Sequence, residues 1–217
     1  EILSFIPVEK NVEVMLVTIT NTGRMAQTVT PTAAIPLYGR SADNIRDHRH
    51  VTSLLHRIET TDIGVLVTPT LSFDERGHQV NHMTYYCVGW SGNGEKPVDF
   101  YPTAEDFVGE GGNFERPYAI VKNAEGVKAG TRIEGLEAVG GLHFSEVTLE
   151  PEEECSYLIF TGITEDIQEI RNLSKTYTTR EMVLEELEKT KAYWQEKVNV
   201  AYHTGDSDFN QFMHWVS

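Results

Sequence analysis

The sequence is poor in positive charge. Its 217 residues include 18 lysines and arginines against 33 aspartates and glutamates, and the formal net charge is −15. A protein with a net field of this sign repels the phosphate backbone of DNA and RNA, so we expect no nucleic-acid partner. The charge is uneven, because residues 103–115 and 150–188 are rich in acids whereas residues 39–57 are rich in arginine and histidine.

Long apolar runs and cysteines are also scarce. No stretch approaches the roughly 20 apolar residues that a membrane helix needs, and no signal peptide is visible. We therefore expect no membrane partner and a cytoplasmic location. The two cysteines, Cys87 and Cys155, stand far apart in apolar, strand-like segments. Two buried, reduced thiols are expected there, although a single disulfide remains open.

Signatures of several common enzyme classes are missing. The sequence contains no Gly-x-Ser-x-Gly nucleophile elbow. The glycine-rich residues 109–112 lack a following Lys and Ser or Thr at the spacing of a phosphate-binding loop. Neither cysteine has the neighbours that a zinc site requires. These absences predict a protein without a bound metal or cofactor.

The residues that are present indicate a protein made mainly of strands. Residues 12–19 alternate but are apolar on both faces, which predicts a strand covered on both sides. Pro31 and Pro36 predict an edge strand or a bulge. The spacing of strands and turns favours an all-β sandwich over βαβ units. Further strands are predicted at residues 51–58, 64–71, 80–90, 146–149 and 155–161, the last two returning to the first sheet.

Two regions depart from this strand pattern. Residues 91–143 are predicted to be a flexible excursion over the sheet, with a short helix that starts near Pro102 and ends by Gly109. After Thr164 the apolar period becomes helical. The expected apolar positions of these helices are Ile167, Ile170, Leu173, Val183, Leu187, Trp194 and Val198. A last helix is predicted to start at Asp206.

The segment from residue 39 to residue 50 is the strongest candidate for a binding site. Arginine forks beside carboxylates form planar pairs, and the same groups bind sugar hydroxyls or phosphate. A solvated loop held by salt bridges is the alternative. The candidate substrate-binding residues are Arg40, Asp43, Asn44, Arg46, Asp47, His48, Arg49 and His50. His48 and His50, with His56 further along, have a spacing that suits a metal, but Arg46 and Arg49 disfavour a cation there.

Two weaker candidates involve acids and aromatic rings. Paired carboxylates catalyse glycosyl transfer, and aromatic rings stack on sugars, but a solvated acidic loop and ordinary core packing are the alternatives. The acids are Asp106, Glu110 and Glu115, and the aromatic residues are Trp90, Tyr101, Phe107 and Phe114.

Six segments of the sequence carry a resemblance to a known family: residues 21–23, 31–36, 39–50, 52–57, 67–77 and 106–113. In these segments the sequence resembles glycoside hydrolase family 94, the inverting glycoside phosphorylases. Within that family it looks most like the 1,2-β-oligoglucan phosphorylases and the C-terminal region of cyclic β-1,2-glucan synthases.

This resemblance implies an architecture and a division of labour. It implies a β-supersandwich of the galactose mutarotase-like type in residues 1–163, incomplete at its start, and a helical linker in residues 164–204. Residues 205–217 would open the first helix of an (α/α)6 barrel that carries the general acid and binds phosphate. The chain alone is therefore expected to be inactive, and no catalytic residue is assigned to it. A homodimer is also implied.

Two functions remain open. The first is a non-catalytic carbohydrate-binding or structural domain of a bacterial phosphorylase, a hexosyltransferase that acts on β-1,2-glucooligosaccharides. The second is a free-standing β-glucan-binding module. The apolar terminal helix favours the first, and a reading frame that stops at Ser217 would favour the second.

Overall fold

The computed structural model describes residues 1–8, 10–39, 49–74, 77–197 and 201–216. The strands are β1 (Ile2–Phe5), β2 (Val12–Thr20), β3 (Gln27–Val29), β4 (Thr32–Leu37), β5 (His56–Thr60), β6 (Gly64–Pro69), β7 (Leu71–Asp74), β8 (Gly77–Val80), β9 (Thr84–Ser91), β10 (Asp99–Thr103), β11 (Arg132–Glu134), β12 (Ala138–His143), β13 (Val147–Leu149) and β14 (Glu154–Thr164). The helices are α1 (Arg49–Ser53), α2 (Ala104–Val108), α3 (Tyr118–Val121), α4 (Ile167–Thr176), α5 (Arg180–Lys197) and α6 (Ser207–Val216). The predicted mainly β fold class is confirmed. Among the described helices, none is both long and apolar enough to cross a bilayer.

Two antiparallel sheets form the sandwich. The large sheet has seven strands in the order β1-β2-β14-β9-β6-β5-β11, and the small sheet has the order β10-β12-β4. The small sheet packs on one face of the large sheet, where Val65, Cys87, Leu142 and Ile159 are buried together. Strand β4 is an edge strand of the small sheet, which suits Pro36 because proline has no amide hydrogen to donate.

Strand β2 shows how the alternation of the sequence builds both layers. Val12, Val14 and Leu16 are buried in the core on the helix side of the large sheet. The alternate side chains, those of Met15, Val17 and Ile19, are half-buried against the core between the two sheets. Successive side chains of a strand point to opposite faces, so the prediction of a strand covered on both sides is confirmed.

Helices α4 and α5 cover the other face of the large sheet. Asp166 starts α4 by accepting a hydrogen bond from the Gln168 amide at 2.8 Å, as N-cap residues do. Ile170 and Leu173 are then buried against the sheet, together with Val183 of α5. The helical pattern predicted after Thr164 is confirmed at these positions. Trp194 is different, because 56% of its surface is exposed.

The prediction of one strand over residues 51–58 is partly wrong. The structure forms the short helix α1 up to Ser53 and begins β5 only at His56. Thr52 and Ser53 are buried whereas Val51 and Leu54 are exposed, so burial does not follow the polarity of the side chains. Tertiary context overrides the strand propensity of these residues.

The interpretation of residues 91–143 as a flexible excursion is also wrong. This region supplies β10 and β12, which pair with each other inside the small sheet. Every residue of β10 is buried. The segment therefore supplies two of the three strands of the small sheet. The short helix that was predicted to end by Gly109 is confirmed as α2.

Strand β13 is a further correction. The sequence predicted that it would return to the first sheet together with β14. Strand β14 does so, between β2 and β9, but β13 pairs with β3 in a separate two-stranded sheet. The hydroxyls of Thr28 and Thr148 lie 2.9 Å apart across that pair.

The two cysteines differ in exposure. Cys87 is fully buried and Cys155 is partly exposed, so the expected pair of buried thiols holds only for Cys87. Cys87 stands opposite Thr161 of β14, and Cys155 lies six positions back along that strand, roughly 20 Å away. A disulfide requires a separation of less than about 7 Å between the two Cα atoms, so the structure rules out a bond between them.

We expect the two thiols to react very differently with a thiol reagent. Burial raises the pKa of Cys87 to about 12, and the thiolate is the reactive form. At pH 8 the folded protein should release one equivalent of thionitrobenzoate from Ellman's reagent, and a second only in denaturant. Cys155→Ser should abolish the first equivalent, and two fast equivalents in the folded protein would contradict the burial of Cys87.

Candidate functional site

A cleft of about 730 Å³ opens at one end of the small sheet, where β4 and β10 end and β12 begins. We call it the end cleft. Its floor is made by the ends of these strands, including Pro36, Leu37, Ala138 and Val139. One wall comes from α1 and the start of β5. A second wall comes from α2 and the loop that follows it.

A helix cap and two glycines fix the shape of this second wall. Thr103 caps α2 by accepting a hydrogen bond from the Asp106 amide at 3.0 Å, and its hydroxyl donates to the Asp106 carboxylate at 2.6 Å. Gly109 then ends the helix with a φ of +80°, which favours glycine. A side chain at Gly112 would place its Cβ 2.2 Å from the Val108 carbonyl oxygen. The glycine-rich residues are therefore required by the shape of the loop.

An aromatic ladder runs from the core into the end cleft. The buried rings of Tyr101 and Phe107 have centroids 5.7 Å apart. The ring of Phe114 follows, with its centroid 5.9 Å from that of Phe107. Phe114 lines the cleft and is 47% exposed. Phe114 is thus the exposed end of the series, and its ring packs on the buried ring of Phe107 at an interplanar angle of 41°.

Two glutamates line the same cleft as Phe114. Glu105 of α2 and Glu110 of the following loop both line the end cleft. Within the described residues, neither carboxylate forms a hydrogen bond or an ion pair. Asn113 also lines the cleft, and its side-chain oxygen accepts hydrogen bonds from the amides of Glu115 at 3.0 Å and Arg116 at 3.1 Å. Within the described residues, the end cleft therefore combines an apolar ring with two carboxylates that accept no hydrogen bond.

His56, at the start of β5, also lines the end cleft. It is buried, and its Nδ1 lies 3.1 Å from the Leu136 carbonyl oxygen. Burial lowers the pKa of His56 below its usual value of 6.5, although the backbone of Leu136 and Gly39 and the charge of Glu137 oppose this shift. The ring is therefore mainly neutral at pH 7 and adds little positive charge to the end cleft.

The eight residues that the sequence predicted for substrate binding mostly lie outside the described residues. This applies to Arg40, Asp43, Asn44, Arg46, Asp47 and His48. Arg49 and His50 form the first turn of α1, and their side chains are likewise outside the described part. The neighbours of the segment are informative, since Leu37 and Tyr38 before it and Thr52 and Ser53 after it all line the end cleft.

The weaker candidates are only partly brought together. Trp90, Tyr101 and Phe107 are core residues, and only Phe114 faces the cleft. Among the acids, Glu110 lines the cleft, whereas Asp106 uses its carboxylate to hold the Thr103 hydroxyl and Glu115 does not line the cleft. Glu105 and Asn113 were missed. Their position on either side of the glycine run was the available signal.

The side chains that the structure describes contain no group of three histidines, cysteines or acids able to hold a metal ion. His56 was considered as a partner of His48 and His50. Both of those side chains lie outside the described residues, so a site with all three is not tested.

The chain was compared with known families and proteins. No curated protein matches it. The model of one family, described as glycosyl hydrolase 94, supersandwich domain, matches residues 1–180. That match covers more than half of the 217 residues and spans both sheets, the end cleft and α4. The chain therefore belongs to the glycosyl hydrolase 94 family and carries its supersandwich domain.

Proposed function

We propose that this chain is the non-catalytic N-terminal domain of a bacterial, cytoplasmic glycoside phosphorylase that acts on β-1,2-glucooligosaccharides. The family match over residues 1–180 carries the proposal. The linkage rests on the resemblance of residues 12–58 and 67–77 to the 1,2-β-oligoglucan phosphorylases. In the complete enzyme, phosphate would displace the terminal glucosyl unit with inversion and release α-glucose 1-phosphate.

The division into domains is part of the proposal. Residues 1–163 form the supersandwich, residues 164–204 link it to the catalytic part, and residues 205–217 open an (α/α)6 barrel. Phe209 and Phe212 of α6 support this arrangement, since they are 44% and 61% exposed. Large apolar side chains at this exposure are typical of a surface that another element covers. The barrel or a second copy in a homodimer would bury them.

The substrate-binding role of residues 40–50 also belongs to the proposal. It is supported by the chemistry of the segment, in which arginines and aspartates alternate, and by its neighbours, which line the end cleft. Paired arginine and carboxylate groups bind sugar hydroxyls through fixed, planar hydrogen bonds.

Activity measurements on two proteins test the proposal. The purified chain should release no α-glucose 1-phosphate from sophorotriose and phosphate. The protein encoded by the complete reading frame should release it together with sophorose. Turnover by the chain alone would refute the non-catalytic role. A complete protein that phosphorolyses cellobiose and not sophorotriose would refute the linkage.

A free-standing β-glucan-binding module is the second candidate. One observation favours it, because the end cleft combines an exposed ring, Phe114, with the carboxyl side chains of Glu105 and Glu110. A module of this kind would bind glucan without a barrel. A reading frame that ends at Ser217, combined with saturable binding of a glucan, would support this alternative over the first.

A further inference from the structure

We propose that the end cleft binds a neutral pyranose ring, with Phe114 as the stacking surface and the carboxylates of Glu105 and Glu110 as acceptors for the sugar hydroxyls. The choice of a glucan as the ligand rests on the proposed function. The location and the roles of these three residues rest on the geometry of the cleft.

Phe114 has the features of a stacking platform. It is 47% exposed although it belongs to an aromatic ladder. The other two rings of the ladder, Tyr101 and Phe107, are 3% and 4% exposed. A ring that already packs on a buried neighbour is restricted before a ligand binds, so stacking a sugar on it costs little conformational entropy. The apolar C–H face of a pyranose fits such a ring, because burying apolar area from both partners is favourable.

Glu105 and Glu110 supply the polar part of the site. Ionised carboxylates are acceptors only, and these two have no donor among the described residues. A pyranose carries several hydroxyl donors, and hydrogen bonds to a charged acceptor are stronger than those between neutral groups. Both glutamates line the end cleft, as Phe114 does, and both also line the neighbouring cleft beside Tyr118.

The described lining of the end cleft is acidic. Its described lining includes Glu105, Glu110 and Glu137 and contains no lysine or arginine. A phosphate or a sugar phosphate would be repelled by this lining. The described lining therefore suits the neutral oligosaccharide and not the phosphate of the proposed reaction. Its volume of about 730 Å³ falls within the range of roughly 300–1,000 Å³ that is usual for small-molecule sites.

Calorimetric titration of the complete 217-residue chain with sophorotriose, cellotriose and laminaritriose tests this inference. We expect saturable binding of sophorotriose. Phe114→Ala should weaken it at least about tenfold, which corresponds to about 1.4 kcal/mol, whereas Phe114→Tyr should keep it because the ring remains. Glu105→Gln and Glu110→Gln should each weaken binding severalfold.

Two controls separate binding from folding. Phe212→Ala removes an exposed phenylalanine that does not line the end cleft, so binding should be unchanged. Gly112→Ala should disturb the loop, since its Cβ would lie 2.2 Å from the Val108 carbonyl oxygen, and should lose binding while the chain still melts cooperatively. Thermal unfolding of each variant shows whether it is folded.

The outcomes distinguish this inference from the proposed function. If the complete enzyme phosphorolyses sophorotriose but the chain binds no trisaccharide, the end cleft is not a sugar site and the proposed function stands. If cellotriose binds in a manner that requires Phe114 and sophorotriose does not, the cleft is a sugar site and the β-1,2 linkage is wrong. Binding of a trisaccharide that is unaffected by Phe114→Ala would overturn the inference. Binding of choline, a cationic probe for acidic aromatic pockets, without binding of any trisaccharide would overturn it too.

Discussion

Replacing Phe160 with alanine should lower the free energy of unfolding by about 3–5 kcal/mol, the usual cost of truncating a buried phenylalanine. Phe160 is fully buried in the middle of β14. Its ring stacks on Trp90 with centroids 4.8 Å apart and on Tyr177 with centroids 5.5 Å apart. Tyr177 follows α4, so this stack joins the large sheet to the helices.

The measurement is urea unfolding at equilibrium, monitored by circular dichroism. Phe212→Ala is the matched control, because it makes the same chemical change at a side chain that is 61% exposed. Its effect should stay within about 0.5 kcal/mol. A loss of less than about 1 kcal/mol for Phe160→Ala would show that the helices do not close the core at this position.

The second large effect is expected at Gly140 in the centre of β12. A methyl group there would place its carbon 2.2 Å from the Cβ of Cys87 and 2.7 Å from its sulfur. Cys87 belongs to β9 of the facing sheet and is buried, so neither side chain can turn aside. The two sheets would have to separate. Gly140→Ala should therefore cost about 3 kcal/mol or more, at the upper end of the usual cost of overpacking.

Gly205→Ala is the control for this substitution. Gly205 precedes α6, and a Cβ added to it would meet no other atom within 4 Å. Alanine there should leave stability unchanged or raise it slightly, because it restricts the unfolded chain. If Gly140→Ala and Gly205→Ala unfold at the same urea concentration, the close approach of the two sheets at Gly140 is wrong.

Gly140 also links stability to the proposed sugar site. It follows Ala138 and Val139, which form part of the floor of the end cleft. A shift of β12 away from β9 would move this floor relative to α2 and its loop. A Gly140→Ala protein that remains folded at low temperature should therefore also bind sophorotriose more weakly.

Local patterns in the sequence were sufficient for several elements. The two apolar faces of β2 follow from the period of two in a strand, and the buried Ile170 and Leu173 follow from the period of a helix. Gly109 ends α2 as predicted, because its φ of +80° favours glycine. These features depend on neighbours within a few residues, so the order of the side chains determines them. The family could be recognised for the same reason, since contiguous segments such as residues 106–113 carry the resemblance to it.

Tertiary structure decided the rest. Residues 91–143 resemble an irregular excursion, but β12 becomes the centre of the small sheet because β4, about 100 positions earlier in the chain, pairs with it. Trp194 stands on the predicted apolar stripe of α5, yet it is 56% exposed, and the apolar residues of α5 that join the core, Val183 and Leu184, lie near the start of the helix. The end cleft has the same origin. The cleft lies where β4 and β10 end and β12 begins, and this arrangement brings Glu105, Phe114 and His56 into one lining. The sequence by itself determined the family, strands such as β2, β6, β9 and β14, and the helical period. Long-range strand pairing decided that β10 and β12 form the small sheet and where a ligand can bind.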